Sequence, residues 1–254
     1  HVDGHGREAY IPRERRHGFE YWKALECTHA YNDSMYYVGD DPTPRKWEGY
    51  DAFAQTDDLV GWLSERDRAR PFLAFLSWGP PHNPYQTAPE QYRRMYDPAK
   101  LTLPPNVPDD VRDKAAKDLA GYYAHCTALD ACVGRLIETL KSTGQAEDTI
   151  VVFTSDHGDM VGCHGMWDKA CPWEPSLRVP LLIHDPRDAH LAGQRSDVVY
   201  NMVDHLPTLC GYAGIQPPAT TRGRDLSMHL RNPTTPEPND ALYASYYPFG
   251  NWLA

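Results

Sequence analysis

Residues 149–169 read TIVVFTSDHGDMVGCHGMWDK, and this stretch organises the reading of the chain. Thr149 to Ser155 is a short apolar run rich in β-branched residues, the pattern of a buried strand. It stops abruptly at Asp156-His157-Gly158-Asp159, where side chains able to ligate a metal replace the apolar ones. In open α/β sheets, ligands bind just beyond the carboxyl ends of strands. Asp156 offers a hard oxygen beside the His157 imidazole, and Gly158 permits close backbone approach. Lys169 brings a positive charge back along the same polar stretch. A strand end, a metal and an anion fit together here. Two other readings compete: an ordinary Asp-His-Gly turn, and a zinc cluster of His157, Asp159, Cys163 and His164, whose side chains are all ligand types but whose spacing matches no zinc-finger pattern.

A chain of 254 residues suggests one large domain or two small ones. At that size, roughly 70–75% of the unfolded surface is buried on folding, so a sizeable core can form. Apolar residues make up 41% and charged residues 24%, an ordinary globular balance. No apolar run approaches the ~18 residues of a membrane span. The net charge of −10 argues against a nucleic-acid partner, whose phosphates demand basic residues. An anionic substrate would need local positive charge against that field, which a divalent ion and Lys169 could supply. The six cysteines (27, 126, 132, 163, 171 and 210) show no Cys-x-x-Cys spacing and read mostly as small buried hydrophobes. The chain opens at His1 without Met and stops at Ala254 without an evident terminal element, so both ends read as cut. Compartment and oligomeric state are not legible.

Residues 1–50 show little periodicity. The cluster Arg13-Glu14-Arg15-Arg16-His17 reads as a solvated face sooner than an anion site. Asn32-Asp33-Ser34 is a glycosylation sequon by pattern only. Thr56-Asp57-Asp58 predicts a helix start with a helix running to about Arg68. Phe72 to Trp78, FLAFLSW, predicts a second buried strand emptying into the turn Gly79-Pro80-Pro81-His82-Asn83-Pro84-Tyr85. Residues 86–112 read as loop around a short helix. A long helix is predicted from about Val111 to Ser142, with Leu119, Tyr122, Cys126, Leu129, Val133, Leu136 and Leu140 on one face and Gly144 as its stop. His125 and Asp130 fall off that stripe and are assigned no chemistry. Val179 to Ile183 predicts a third strand, and Met202 to Tyr212 a short helix begun by Asp204. Residues 232–239 read as a linker, and Leu242 to Tyr247 as the start of another strand.

The stretch TSDHGDMVGCHGMWDK, followed by EPSLRVPLLI, resembles the C-terminal half of the active site in the sulfatase family of the alkaline phosphatase superfamily. The resemblance implies that Asp156 and His157 ligate one divalent metal, calcium first and magnesium or another ion as alternatives, and that Lys169 contacts the sulfate group. Pro81-His82-Asn83-Pro84 resembles the family's Pro-His-x-Pro segment, which implies that His82 touches the sulfate or leaving oxygen. His1-Val2-Asp3-Gly4 resembles the residues directly after the family's Gly-Lys-Trp segment, which makes His1 a neighbour of the nucleophile. Cys163 departs from the family, where Asp commonly precedes this His-Gly. No Cys or Ser opens a Cys/Ser-x-Pro-x-Arg segment, so the formylglycine nucleophile and the remaining acidic ligands are expected in an N-terminal segment outside this chain. The implied fold is α/β: an alkaline-phosphatase-like sandwich with a mostly parallel central sheet, helices on both faces and its N-terminal part absent. Residues 1–240 would be part of the catalytic domain, and 241–254 the start of a C-terminal subdomain. The implied activity is metal-dependent hydrolysis of a sulfate ester on a sulfated small molecule or carbohydrate, with no nucleic-acid or membrane partner and no activity in the fragment alone. Which ester is cleaved is not legible; loops 5–50 and 84–112 are expected to choose it. The alternatives are a phosphodiesterase or phosphonate monoester hydrolase of the same superfamily, and a non-catalytic sulfatase-like binding protein.

Overall fold

Residues 6–232 and residue 235 are described by a computed structural model. They fall into two units, His1–Ala146 with Asp159–Asp168, and Glu147–Gly158 with Lys169–Ala254.

The first unit begins with a three-stranded antiparallel sheet of β1 (Lys23–Ala24), β2 (Met35–Val38) and β3 (Asp41–Lys46), in the order β1-β2-β3. Lys23 pairs with Val38 and Met35 with Lys46, and Gly39-Asp40 makes the tight turn with Gly39 at φ +49°. The weak alternation of this segment hides it at the level of sequence. Arg16 stitches the turn to the preceding coil. Its guanidinium is buried, donating to the carbonyls of Ile11 (2.9 Å) and Gly39 (2.7 Å), to the Tyr10 hydroxyl (2.9 Å) and to Asp40 (3.0 Å). The expected solvated basic face therefore fails at Arg16, because five donors in a rigid fork can satisfy several buried acceptors at once.

Three helices come next: α1 (Asp51–Glu65), α2 (Glu90–Arg93) and α3 (Arg112–Ser142). Helix α1 starts five residues before the predicted cap. Thr56 is not a cap but a fully buried interior residue whose hydroxyl returns to the Ala52 carbonyl (2.6 Å), which removes its competing polar group. Helix α3 matches its predicted span, and Gly144 (φ +71°) ends it, with Gln145 N donating back to the Leu140 carbonyl (2.7 Å). Its buried face is a seam of small residues, Ala115, Ala120, Gly121, Ala124, Ala128 and Cys132, more than the predicted stripe of large ones. Small side chains let neighbouring backbone come close: an ideal Cβ on Gly121 would lie 2.5 Å from the Tyr85 carbonyl oxygen. Against this seam pack Tyr31, Tyr50 and Ala52, flanked by Phe53, Trp78 and Tyr92.

The segment 72–78 is a correction. It is extended coil, and no strand among the described residues pairs with it. Leu73 and Phe75 are exposed at 70% and 77%, whereas Phe72 packs edge-on against Trp62 (5.6 Å) and Trp78 joins the core. Aromatic and aliphatic composition favours a strand only where a neighbouring ladder exists to complete it.

In the second unit β4 (Val151–Thr154) pairs antiparallel with β5 (Leu181–His184), Val151 opposite His184 and Thr154 opposite Leu181. Sequence predicts both as buried strands; β4 is half-buried throughout and β5 alternates. All ladders among the described residues are antiparallel, in contrast to the mostly parallel sheet expected. Between the strands lies α4 (Glu174–Leu177); α5 (His205–Ala213) and α6 (Ser227–Arg231) complete the unit's helices among the described residues. Asp204, predicted to begin this helix, makes no side-chain cap to α5; it closes a capping box one turn earlier, at Met202–Asp204, where it accepts from Asn201 N at 3.0 Å. Asp204 also takes the Arg224 guanidinium (2.8 Å), which helps to hold it below the usual carboxylate range against the penalty of burial. The predicted strand at 242–247, the subdomain at 241–254 and most of the linker at 232–239 lie outside the described residues.

His125, assigned no chemistry from sequence, is fully buried in α3 with Nδ1 2.7 Å from the Tyr50 hydroxyl. Burial lowers its pKa to about 4, so the folded imidazole stays neutral where the unfolded one charges near 6.5. Between those values the unfolded chain binds more protons, and stability falls as pH drops from 6.5 towards 4. The nearby buried Asp51 acts in the opposite sense: burial pushes its carboxyl up to about 6, so its contribution is lost as pH rises through that value. The substitution His125→Gln should flatten the decline between pH 6.5 and pH 4 in urea unfolding, and an unchanged slope would contradict a buried neutral imidazole.

Candidate active site

In the first unit the turn Gly79–Tyr85 carries His82, half-buried. Its Nδ1 faces the Asn83 carbonyl oxygen at 3.0 Å. A carbonyl only accepts, so Nδ1 carries the proton and Nε2 is the nitrogen turned to other work. The same carbonyl accepts from the buried Tyr31 hydroxyl at 3.2 Å, and the Tyr31 ring leaves no room for a Cβ on Gly79. Asn83 Nδ2 donates to Asp168 Oδ1 (2.7 Å), and the Tyr85 hydroxyl donates to Asp159 Oδ2 (2.6 Å). Burial, then this bond to Asp159, raises the Tyr85 phenol above its ordinary pKa and keeps it a donor. Two side-chain hydrogen bonds thus clamp the His82 turn to the loop 159–168.

That loop is backbone-strained. Val161, His164 and Asp168 have φ of +38°, +54° and +64°, and Ala170, just beyond Lys169, has +69°. Such residues persist only where surroundings over-determine them, and they gather at functional sites. Trp167 helps to hold the loop down: Nε1 donates to Asp118 Oδ2 (2.8 Å), and the Lys114 ammonium sits 3.6 Å over its ring. Residue type signals none of this strain.

In the second unit, Asp156 and His157 are brought together at the end of β4. His157 Nδ1 donates to the Gly158 carbonyl (2.7 Å), which leaves the imidazole lone pair on Nε2, 3.5 Å from Asp156 Oδ2. A lone pair and a carboxylate facing one another make a donor set for a cation, and the Asp156 side chain is 78% exposed. The turn is fixed behind them by Ser155 Oγ donating to the His157 carbonyl (2.8 Å) and by Gly158 N donating to the Ser176 carbonyl (2.8 Å). In kind these donors fit a divalent metal. In number they fall short of the ~6–8 oxygens calcium takes, and no group of three or more His, Cys, Asp or Glu among the described residues is arranged to hold one. The zinc-cluster reading fails: Asp159 is engaged by Tyr85 and by Val161 N (3.2 Å), His164 lies by Asn106 (3.1 Å), and burial raises the Cys163 thiol. Lys169 is half-buried in the second unit, and His1 lies outside the described residues.

The Sulfatase family matches residues 1–215. The chain belongs to the sulfatase family. It is 41% identical over 252 residues to an ulvan-active sulfatase of Formosa agariphila, covering 98% of this chain and 49% of that protein. A Bacteroides thetaiotaomicron structure from work on the metabolism of multiple glycosaminoglycans superposes with a TM-score of 0.82 at 27% identity, over 89% of this chain and 48% of that one. A phosphonate monoester hydrolase of Agrobacterium radiobacter gives 0.63 at 28% identity, over 70% and 41%. The chain spans about half the length of the curated relatives it matches.

A Cβ on Gly158 would overlap the Pro175 carbonyl oxygen and lie 3.3 Å from that of Ser176. The substitution Gly158→Ala should therefore shift the Asp156–His157 turn and cost about 1–3 kcal/mol, as overpacking does. A denaturation midpoint equal to wild type would refute the close approach.

Proposed function

We propose that the full-length protein hydrolyses sulfate esters of carbohydrates with the help of one divalent cation, calcium first. The observation that carries this reading is the paired Asp156 carboxylate and His157 Nε2 at the end of β4, in a chain of this family. The sulfated-carbohydrate class is favoured by the resemblance to an ulvan-active sulfatase. A bound cation supplies Lewis-acid charge against the sulfuryl oxygens. Asp156 and His157 would hold it, with further ligands from outside these residues. The nucleophile, formylglycine in this family, also comes from outside them, since no segment here has the required pattern.

The chain's own side chains then have separable duties. The Lys169 ammonium takes a sulfate oxygen and offsets the net charge of −10 that otherwise repels the substrate. His82, in its doubly protonated form, keeps one proton on Nδ1 toward Asn83 and gives the Nε2 proton to the ester oxygen as its bond to sulfur breaks; the bond pair stays on that oxygen and the imidazole is left neutral. His1 would stand beside the nucleophile, as expected from its position after the family's Gly-Lys-Trp segment. In the intact protein we place residues 1–240 in one catalytic domain with a mostly parallel central sheet, and 241–254 at the start of a smaller subdomain.

A second reading, hydrolysis of phosphonate monoesters or phosphate diesters, is favoured by the likeness to a phosphonate monoester hydrolase. Turnover of an aryl sulfate and of a phosphate diester by the full-length protein separates them: sulfate is expected to be preferred, and a diester preference of about a hundredfold, some 2.7 kcal/mol of barrier, would decide for the second. Removing metal with a chelator should abolish turnover, with activity returning on adding calcium. Asp156→Ala should weaken metal affinity at least about tenfold. The 254 residues alone are expected to be inactive, so metal-dependent turnover by them would overturn the assignment of the nucleophile.

A further inference from the structure

The His82 ring is not alone. The imidazole of His29 lies face to face with it, centroids 4.3 Å apart and planes inclined by 27°. Neither the motif containing His82 nor the sequence around His29 (Glu26-Cys27-Thr28-His29-Ala30) marks this pairing, and the two residues are 53 positions apart by simple subtraction of their numbers. We propose that His29 is a positioning residue for His82: its stacked ring fixes the plane from which His82 delivers a proton to the leaving oxygen. The inference rests on the role given to His82 above.

The torsion that turns an imidazole about its Cβ–Cγ bond is broad and roughly two-fold, so rotamer preference alone does not aim Nε2. One edge is held by the Asn83 carbonyl at 3.0 Å, and that carbonyl is itself held by the Tyr31 hydroxyl at 3.2 Å. A hydrogen bond at one edge still allows the ring to rock about it. A flat ring against the face removes that rocking, because tilting His82 would drive it into His29. His29 is in turn fixed by its own neighbours: Nε2 lies 4.0 Å from the Cys27 sulfur, and its ring is tilted at 52° to that of Tyr31, 6.4 Å away. Tyr31 thus contacts both His29 and the carbonyl that orients His82, and it is fully buried. One buried residue therefore ties both restraints to the same core. Proton transfer depends steeply on such aim, since a misplacement of about 1 Å costs on the order of a hundredfold in rate.

The test uses the full-length protein, two sulfate esters with good and poor leaving groups, and the variants His29→Ala, His29→Phe and His29→Leu. A ring without nitrogens keeps the stack, so His29→Phe should hold kcat on the poor leaving group within about threefold of wild type. His29→Ala should lower that kcat roughly tenfold, a fraction of the ~10²–10⁴ that a general acid contributes, with KM within about twofold. On the good leaving group, which needs little protonation, His29→Ala should be near wild type. If His29→Ala does not fold, His29→Leu against His29→Phe makes the same comparison at similar bulk. Equal losses on both esters, or His29→Phe as slow as His29→Ala, would make His29 merely structural and overturn the proposal. His82→Ala is the control for the reading beneath it: if that variant still turns over the poor leaving group at the wild-type rate, the role of His82 falls. If His82→Ala is slow while every His29 variant is unaffected, only the positioning role falls.

Discussion

The Tyr50 hydroxyl and His125 Nδ1 meet at 2.7 Å in the middle of the first unit, with His125 wholly removed from water. An imidazole in that position is tolerated only when it is neutral and its hydrogen-bonding capacity is used, since burying an unpaired polar group costs several kcal/mol. The arrangement therefore ties three pieces of chain together. Tyr50 is the residue before α1, His125 lies midway along α3, and His125 Nε2 is turned toward the Pro84 carbonyl and the Thr87 hydroxyl, both at 3.5 Å. Tyr31 closes the cluster edge-on to His125, with its hydroxyl on the Asn83 carbonyl. The turn that bears His82 is thus bounded on its chain-C-terminal side by the same residues that join α1 to α3. The small-residue seam of α3 makes this possible, since only a nearly bare helix surface at Gly121 lets the Tyr85 backbone approach so closely.

A net charge of −10 sets a constraint of a different kind. An anion approaches such a chain only where cationic groups locally oppose that field. Elsewhere the chain spends its basic residues on structure. Arg16 is buried against carbonyls, Arg224 holds Asp204, and Arg187 is bound to Asp185 at 2.6 Å. Carboxylates near the His82 turn are likewise engaged by neutral donors, Asp159 by Tyr85 and Asp168 by Asn83. Those bonds keep both acids occupied with positioning the backbone. Glycine supports the Asp156–His157 turn by economy of space: at Gly158 the missing side chain is what allows the Pro175–Ser176 backbone to lie against it.

Much of the candidate site is legible in the sequence because its residues are close in number and chemically unusual. Asp156 and His157 come directly after an apolar run that can be nothing but a strand or a short buried helix, and a metal-competent pair at such an end has few structural uses. His82 sits in a turn whose Pro residues announce it. The residues that aim these groups are not legible. His29, Tyr31, Asn83 and Asp168 are ordinary in type, distant in number and meaningful only by proximity. His125 escapes notice because it lies off the large-residue stripe of α3; that stripe is drawn from side-chain size, whereas the helix turns its small residues inward. Thr56 resembles a cap since Thr-Asp-Asp is a common opening, yet its hydroxyl satisfies itself on the preceding turn and frees the helix to begin at Asp51.

The sequence by itself determined the elements whose signal is local: the span of α3 and its glycine stop, the strands β4 and β5, the helix α5, and the ligand types gathered at 156–157 and 82. These arise from backbone propensity, capping and periodicity, which act over a few residues and need no partner. Only the tertiary structure decided which way each element pairs and what each polar group meets. The run 72–78 has a strand's composition but lies as extended coil, and the weakly patterned 23–46 region forms a sheet, because a ladder exists only where a second segment arrives to complete its hydrogen bonds. For the same reason Arg16 left the solvated face assigned to it, and His29 acquired a partner 53 positions away, the difference of the two residue numbers: burial and stacking are properties of neighbours in space, which no single window of sequence contains.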